Sequence, residues 1–353
     1  MWTKSAQQDL TVDNRGWQKG KRRKWSKVDE TRILQIHQEI EGDKLAFYTG
    51  ATAIDQRWRE KFPHLFPPPL ITIGRMMKDL GLSVQRKKGR NKGASKYLCY
   101  PEHTIYTLFG GRVLEADFLG EKYLTGRTEP LNFIAFAFKK EPKLRYYKRV
   151  EAQTADCFIT EAEKFFEEFE KPDYIKVDNC LATIGSASGK RNLSRAMQFL
   201  LNKQIIPIFS VPRKPFSQAS IEGNNSVFAR KFWNRINFRS VKEVDTKSEW
   251  FNQSSEKYLR YQRPVRKDTK KKKFVPRIYF IRQVRDDNGK AYIDVLNEKV
   301  PFRKSYINYY VLAEWQLKTE KLNIYFEKNN QQKLIKQLSF EINKRSKSSS
   351  HFI

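Results

Sequence analysis

The order of strand-like and helix-like segments between residues 106 and 240 is the feature that most constrains the fold of this chain. Three apolar runs come first, "RVLEADFLG", "PLNFIAFAF" and "KLRYYKRVE", and turn residues separate them. Helical segments then alternate with the short apolar strands in "DYIKV" and "IIPIFSV", and a long helical stretch begins near Ser217. Antiparallel strands followed by strand–helix units predict a mixed α/β domain built in layers.

The net charge indicates the kind of partner. The 353 residues include 69 Lys and Arg against 39 Asp and Glu, a formal charge of +30. Such an excess favours a polyanion, most commonly nucleic acid, and the absence of a strongly amphipathic basic helix disfavours a membrane. With no apolar run of transmembrane length and no signal core, we expect a soluble, cytoplasmic protein. The three cysteines form no CxxC pair and only four histidines occur, so neither a disulfide framework nor zinc is expected.

The spacing of apolar residues along the chain also predicts the domain organisation. Apolar residues from Ile33 to Ile40 recur at helical spacing, and Gly81 ends the last of three short helices. Arg75 and Lys78 on that last helix fit a helix-turn-helix DNA reader, and the alternative is a plain helical bundle with solvated charges. Short strand-like runs beyond Pro276 predict a small β-barrel. The expected segments are a basic disordered arm (1–24), a helix-turn-helix domain (25–85), a basic linker (86–105), a mixed α/β domain (106–240), a helix with a basic linker (241–275), the barrel (276–335) and a tail (336–353).

Three carboxylates lie at the ends of predicted elements in the middle segment. Asp117 closes the strand in "EADFLG", Asp178 closes the strand in "KVDNC", and Glu222 lies on the helix after "VPRKPFSQAS". The first and fourth strands can lie side by side, which would bring Asp117 and Asp178 together, with the helix of Glu222 against the same edge. Glu115 shares a strand face with Asp117 and is a possible substitute, although it lies farther from the strand end.

Converging carboxylates favour a metal site over a set of unrelated acids. Taken singly, each acid is more often a turn former or a solvated side chain. Three together repel one another unless cations neutralise them, and hard oxygen ligands suit Mg²⁺ or Mn²⁺. Two such ions about 3.5–4 Å apart grip both the attacking and the leaving oxygen of a phosphodiester.

Local sequence around these acids carries a family resemblance. From Val113 to Phe238 the chain resembles the retroviral-integrase and DDE-transposase superfamily, in "VDN" after a strand and in the proline-rich lead "VPRKPFSQASIEGNNSVFARKFW". The flanking "PPPLITIGRMMKDLGL" and "AYIDVLNEKVPFRKSYINYYVLAEW" match the domain order of bacterial insertion-element transposases. The step of 44 positions from Asp178 to Glu222 is longer than a short motif search expects, and the insert "TIGSASGKRN" accounts for the excess. The family's frequent Asn-Gly before the glutamate is missing, and no His-His-Cys-Cys zinc module can form.

The resemblance implies a multidomain enzyme with a ribonuclease-H-like catalytic core. Asp117 would bridge two Mg²⁺ or Mn²⁺ ions, Asp178 would hold one and Glu222 the other. The enzyme would cut the ends of a mobile element and transfer the freed 3′-hydroxyl into target DNA. It would act as a homo-oligomer on double-stranded DNA, in the nucleoid of a prokaryotic host. The basic residues expected to hold DNA phosphates near the acids are Arg213, Lys214, Arg230 and Lys231.

Two alternatives remain open at the level of sequence. One is a metal-dependent, ribonuclease-H-like nuclease that hydrolyses nucleic acid and never joins it. The other is a domesticated DNA-binding regulator without activity, which the three retained, mutually repelling acids disfavour.

Overall fold

A computed structural model describes most of the chain as two compact units, Met1–Lys88 and Gly89–Ile353. The predicted basic arm, the basic linker 86–105 and the final residues fall outside the part that is described. None of the helices within that part is both long and apolar enough to cross a lipid bilayer. The described residues are 25–43, 46–83, 113–138, 141–169, 171–256 and 274–344.

The first unit contains the expected helical region. Its helices each bury one apolar face, and the Trp58 indole donates a hydrogen bond to the Leu65 carbonyl at 3.1 Å. Ser26 and Asp29 form a capping box that starts the first helix. Arg75 and Lys78 are exposed on the last helix. The three helices are α1 (Lys27–Gly42), α2 (Ala51–Lys61) and α3 (Leu70–Asp79).

A large central sheet organises the second unit, which is therefore mixed α/β as predicted. The described strands are β1 (Val113–Lys122), β2 (Leu131–Phe138), β3 (Glu141–Val150), β4 (Tyr174–Val177), β5 (Ile206–Phe209), β6 (Arg277–Gln283), β7 (Arg285–Asp287), β8 (Lys290–Val295), β9 (Glu298–Pro301), β10 (Tyr310–Gln316), β11 (Lys321–Lys328) and β12 (Gln331–Ser339). Nine of them form one sheet in the order β12-β11-β10-β6-β5-β4-β1-β2-β3, and β7, β8 and β9 form a second sheet.

The pairing of the first five strands agrees with the sequence-based topology. The run β1, β2, β3 is an antiparallel meander. Strand β1 then pairs in parallel with β4, and β4 pairs in parallel with β5. The first and fourth strands are thus neighbours, as expected from the alternation of strands and helices.

Helices cover both faces of this sheet. The face of Phe136 and Ile175 packs against α4 and α6, whose first turns are capped by the hydroxyls of Thr154 and Ser194. On the other face, Phe133 and Phe228 make an edge-to-face pair with ring centroids 5.2 Å apart. Both faces are therefore dry, which explains the near-continuous apolar runs of the central strands. The helices of this unit are α4 (Ala155–Glu168), α5 (Leu181–Ile184), α6 (Arg195–Asn202), α7 (Ala219–Phe228) and α8 (Val241–Glu256).

The expected C-terminal barrel is only partly visible. Strand β6 pairs in parallel with β5, so β6, β10, β11 and β12 extend the central sheet, while β7 to β9 lie in the separate sheet. Without β6, strand β5 would present an unpaired edge. The rings of Phe209 and Phe280 stack across this junction with centroids 5.2 Å apart, and β12 continues to Ser339, beyond the boundary expected at 335.

The junction predicts that the C-terminal strands β6 and β10 to β12 unfold together with the strands β1 to β5. Phe280→Ala removes a fully buried ring and should lower the free energy of unfolding by about 3–5 kcal/mol. Hydrogen-exchange mass spectrometry across a urea series should show β1, β4 and β6 losing protection in one step. Leu334→Ala, at a side chain that is 47% exposed, is the control and should cost less than about 0.5 kcal/mol. Loss of protection confined to β10 and β11 would instead indicate an independent barrel.

Candidate active site

Parallel pairing brings the first two acids to one place. Glu115 on β1 is the register partner of Lys176 on β4. Continuing that register by two residues sets Asp117 opposite Asp178, which directly follows β4. Residues two apart share a strand face, so both carboxylates are on the side of the sheet that α7 covers.

The third acid comes from the first turn of α7. A 3₁₀ turn, Pro215–Gln218, leads into this helix, and Glu222 is exposed one turn after its start. Gly223 beside it has open space where a Cβ atom would be. Glu222 therefore lies at the solvent side of the cluster, whereas Asp117 is largely enclosed.

Burial and the charges of neighbouring acids both act on the central carboxylate. The pKa of Asp117 is raised to about 7, first by burial and then by the negative charges of Asp178 and Glu222. Burial also raises the pKa of Glu222, and the nearby charge of Glu115 adds to this effect. A cluster that resists ionisation in this way attracts protons or cations.

Asn225 orients the central acid. Its side-chain amide donates to Asp117 Oδ2 at 3.0 Å, and its carbonyl oxygen accepts from the Tyr147 hydroxyl at 3.4 Å. Because Asn225 follows Glu222 by three residues, both side chains are on the same side of α7. One helix face thus supplies an acid and the amide that holds a second acid.

A buried polar group fixes the start of α7. Glu115 is 1% exposed and its Oε2 accepts from the Ile221 backbone amide at 2.9 Å. Its Oε1 has no hydrogen-bond partner within the described residues. The buried Lys176 ammonium donates to the Ser217 carbonyl, and Gln218 reaches the Lys176 carbonyl at 3.4 Å. Glu115 therefore anchors the helix that carries Glu222.

The turn after Asp178 is also held in place. The Thr183 hydroxyl donates to the Asp178 carbonyl at 2.9 Å, and the Ser194 hydroxyl donates to the Thr183 carbonyl at 2.5 Å. Cys180 in this turn has a pKa raised to about 11, by burial first and then by the charge of Asp178. Its thiol stays protonated at neutral pH, which fits a packing residue and not a nucleophile.

Most of the predicted DNA-contacting residues are on the surface of their own units. Arg213 and Lys214 are exposed in the approach to α7, where Arg213 has a positive φ of 58°. Arg230 is exposed and its guanidinium donates to the Ser226 carbonyl at 3.1 Å, while Lys231 is half-buried.

The donor chemistry of the cluster fits hard divalent cations. Carboxylate oxygens are the ligands that Mg²⁺ and Mn²⁺ prefer, and the repulsion at Asp117 is what a bound cation would relieve. Among the described residues, however, no three His, Cys, Asp or Glu side chains are already close enough to hold an ion. The acids form a loose cluster, wider than a finished coordination shell.

Two features of the site were missed by sequence reasoning. Asn225 lies in the quoted helix run, and its spacing of three from Glu222 is a signal that could have assigned it. Glu115 was considered only as a spare ligand, because no local pattern reveals that a helix amide from residue 221 reaches it.

Solved structures with some similarity to this chain include retroviral integrase catalytic cores. The catalytic core domain of BIV integrase has 10% identity and a TM-score of 0.29, covering 41% of this chain and 83% of that one. The HTLV-2 integrase core in complex with magnesium has 14% identity and a TM-score of 0.31, covering 40% and 85%. A chain of the simian T-cell lymphotropic virus intasome in complex with PP2A regulatory subunit B56 gamma has 11% identity and a TM-score of 0.35, covering 77% and 96%.

No family model and no curated protein sequence matches this chain. Because the TM-scores are low, we derive function from the carboxylates themselves and not from this likeness.

The raised pKa of Asp117 predicts a specific dependence of stability on pH. The folded protein binds this proton up to about pH 7 and the unfolded chain only up to about pH 4, so the acid lowers stability as pH rises through that window. Asp117→Asn, without divalent ions, should therefore gain about 2 kcal/mol at pH 8 and progressively less toward pH 5. Urea denaturation at several pH values measures this. Asp286→Asn, at an exposed acid, is the control, and an equal gain at both pH values would contradict the placement.

Proposed function

We propose that this chain is a DDE-type transposase or integrase, a polynucleotidyl transferase with a ribonuclease-H-like core. The observation that carries the proposal is the placement of the acids: Asp117 is on β1, Asp178 follows the parallel neighbour β4, and Glu222 is on α7, whose Asn225 donates to Asp117. The pKa of Asp117, raised to about 7 by burial first and then by the charges of the other two acids, is consistent with this placement. A chain with a net charge of +30 has DNA as its natural partner, so carboxylates clustered within it suit chemistry on phosphodiesters.

Each acid has a distinct part in the proposed site. Asp117, the central and most enclosed acid, would bridge two Mg²⁺ or Mn²⁺ ions, with Asp178 and Glu222 each holding one. The ions would supply positive charge for the attacking and leaving oxygens of a phosphodiester. Asn225 keeps Oδ2 of Asp117 in a fixed direction, which leaves its other oxygen for a ligand role. The backbone of Asp178 is held by the hydroxyl of Thr183, which donates to the Asp178 carbonyl.

The loose spacing of the acids gives Glu222 a further role. It is the exposed member, on the first turn of α7, with no side chain on its neighbour Gly223 to obstruct it. Cations that compensate the repulsion would favour rotamers of this exposed side chain that turn toward Asp117. In this proposal the three acids would come together around metal ions only when cations and DNA are both present.

The proposed substrate is double-stranded DNA, both element ends and target, bound by a homo-oligomer. Basic side chains in the approach to α7, just after its end and on the helical unit would contact phosphates and orient the duplex. These residues are Arg213, Lys214, Arg230 and Lys231 in the second unit and Arg75 and Lys78 in the first.

The proposal predicts that Asp178→Asn abolishes metal-dependent cleavage while DNA binding persists. Loss of an outer-shell partner of a metal site costs about 10–100-fold, so loss of a ligand should cost at least about 100-fold in rate. Cleavage and joining are measured on duplexes taken from the DNA on either side of the reading frame, with Mg²⁺ or Mn²⁺. Asp173→Asn, at the opposite end of β4, is the matched control and should retain activity. Undiminished strand transfer by Asp178→Asn would exclude the metal role.

The nuclease alternative has the same acids and differs in its nucleophile. Supplying pre-cut duplex ends with free 3′-hydroxyl groups, together with plasmid DNA, separates the two. A transposase joins the ends to the plasmid, whereas a nuclease only shortens both. A protein that binds these duplexes but cleaves none across a Mg²⁺ and Mn²⁺ titration would be the regulator.

A further inference from the structure

A buried arginine from the C-terminal strands reaches the turn of the second acid. Arg282 lies on β6, is 3% exposed, and interrupts an otherwise mainly apolar strand. Its Nη2 donates to Asn179 Oδ1 at 2.8 Å, and its Nη1 donates to the Ser210 carbonyl at 3.0 Å. The Nε atom donates to the Asp294 carbonyl at 2.7 Å. The guanidinium thus links β6, the end of β5 and the residue after Asp178.

These contacts form a closed network. Asn179 Nδ2 donates to the Ser210 carbonyl at 2.7 Å, the same oxygen that Arg282 binds. The Ser210 amide in turn donates to the Val177 carbonyl at 2.9 Å, at the end of β4. The Asn179 side chain therefore has a fixed orientation, with its oxygen toward the guanidinium and its nitrogen toward the carbonyl.

The network holds the side of the Asp178 turn that Thr183 does not reach. Thr183 binds the Asp178 carbonyl from α5, while Arg282 acts on the next residue from β6. A peptide held on both sides has few ways to rotate. The backbone of the Asp178 turn is therefore held in part by a residue that lies about a hundred positions downstream in the chain.

A purely structural role explains this arginine poorly. Burying a guanidinium is costly, and an apolar side chain of similar volume is often neutral or better for stability. The three backbone carbonyls that Arg282 binds include that of its own neighbour Ile281, and only Asn179 contributes a side chain. Specific orientation of Asn179 is the result that an apolar residue cannot provide.

We propose that Arg282 is a positioning residue for Asp178, acting through Asn179, so that strand β6 is part of the active site. This inference rests on the proposed metal-dependent function of Asp178. The strands once expected to form a separate barrel would thereby control the geometry of one metal ligand.

The test compares Arg282→Lys, Asn179→Ala and the double variant in the full chain. A lysine keeps the charge but lacks the fork that spans Asn179 and Ser210. Each single variant should raise the Mg²⁺ concentration for half-maximal cleavage by about 10–100-fold, with an unchanged KM for DNA. Because both act on one turn, the double variant should be no worse than the poorer single variant.

Arg277→Lys is the matched control on the same strand. Arg277 binds the buried Glu314 at 2.6 Å, away from the Asp178 turn. It should lower thermal stability without changing the Mg²⁺ requirement. If Arg282→Lys and Arg277→Lys both lower stability and neither changes the Mg²⁺ requirement, Arg282 is structural and the proposal is wrong.

A metal-free measurement separates this inference from the proposed function. Hydrogen exchange of the amides from 178 to 184 should become about tenfold faster in Arg282→Lys and in Asn179→Ala, the equivalent of one net hydrogen bond. Unchanged exchange in Asn179→Ala overturns the positioning role even if the enzyme is active. If the two variants exchange faster but the wild-type protein cleaves no DNA, the positioning of the turn is supported and only the proposed chemistry is refuted.

Discussion

The parallel pairing of β1 with β4 is the interaction on which the rest of the site depends. It sets Glu115 beside Lys176 and, two residues further, Asp117 beside Asp178. A shift of one residue would turn one of each pair to the opposite face, where α4 and α6 cover an apolar core. Hydrophobic packing on one face of the sheet therefore fixes the register, and the register in turn places the acids on the other face.

Buried polar groups extend this register into three dimensions. Glu115 and Lys176 hold the start of α7, and Asn225 holds Asp117 from the same helix. Each of these groups loses solvation on burial and gains directional hydrogen bonds, which fix orientation in a way that apolar contacts do not. Around the acids, polar contacts supply direction while the aromatic core supplies stability.

Local patterns predicted much of this arrangement, and its limits have physical causes. Strand alternation and helical spacing predicted the order of elements and the neighbouring positions of the first and fourth strands, because helix and strand patterns are local in sequence. The partial barrel, Asn179 with Arg282, and Ile221 with Glu115 depend on contacts between residues far apart in sequence. The strand "RIYFIRQ" suits a barrel or a sheet interior equally well, and only its pairing with β5 decides between them.

The pairing of β5 with β6 also has a consequence for synthesis. A ribosome makes the chain from its first residue onward, so Asp117, Asp178 and Glu222 all leave the exit tunnel before β6 exists. Until β6 joins the sheet, the edge of β5 is bare and Asn179 lacks its guanidinium partner. The nascent protein accordingly carries all three acids before this strand is made, and the turn beside Asp178 becomes fixed only after β6 has joined the sheet.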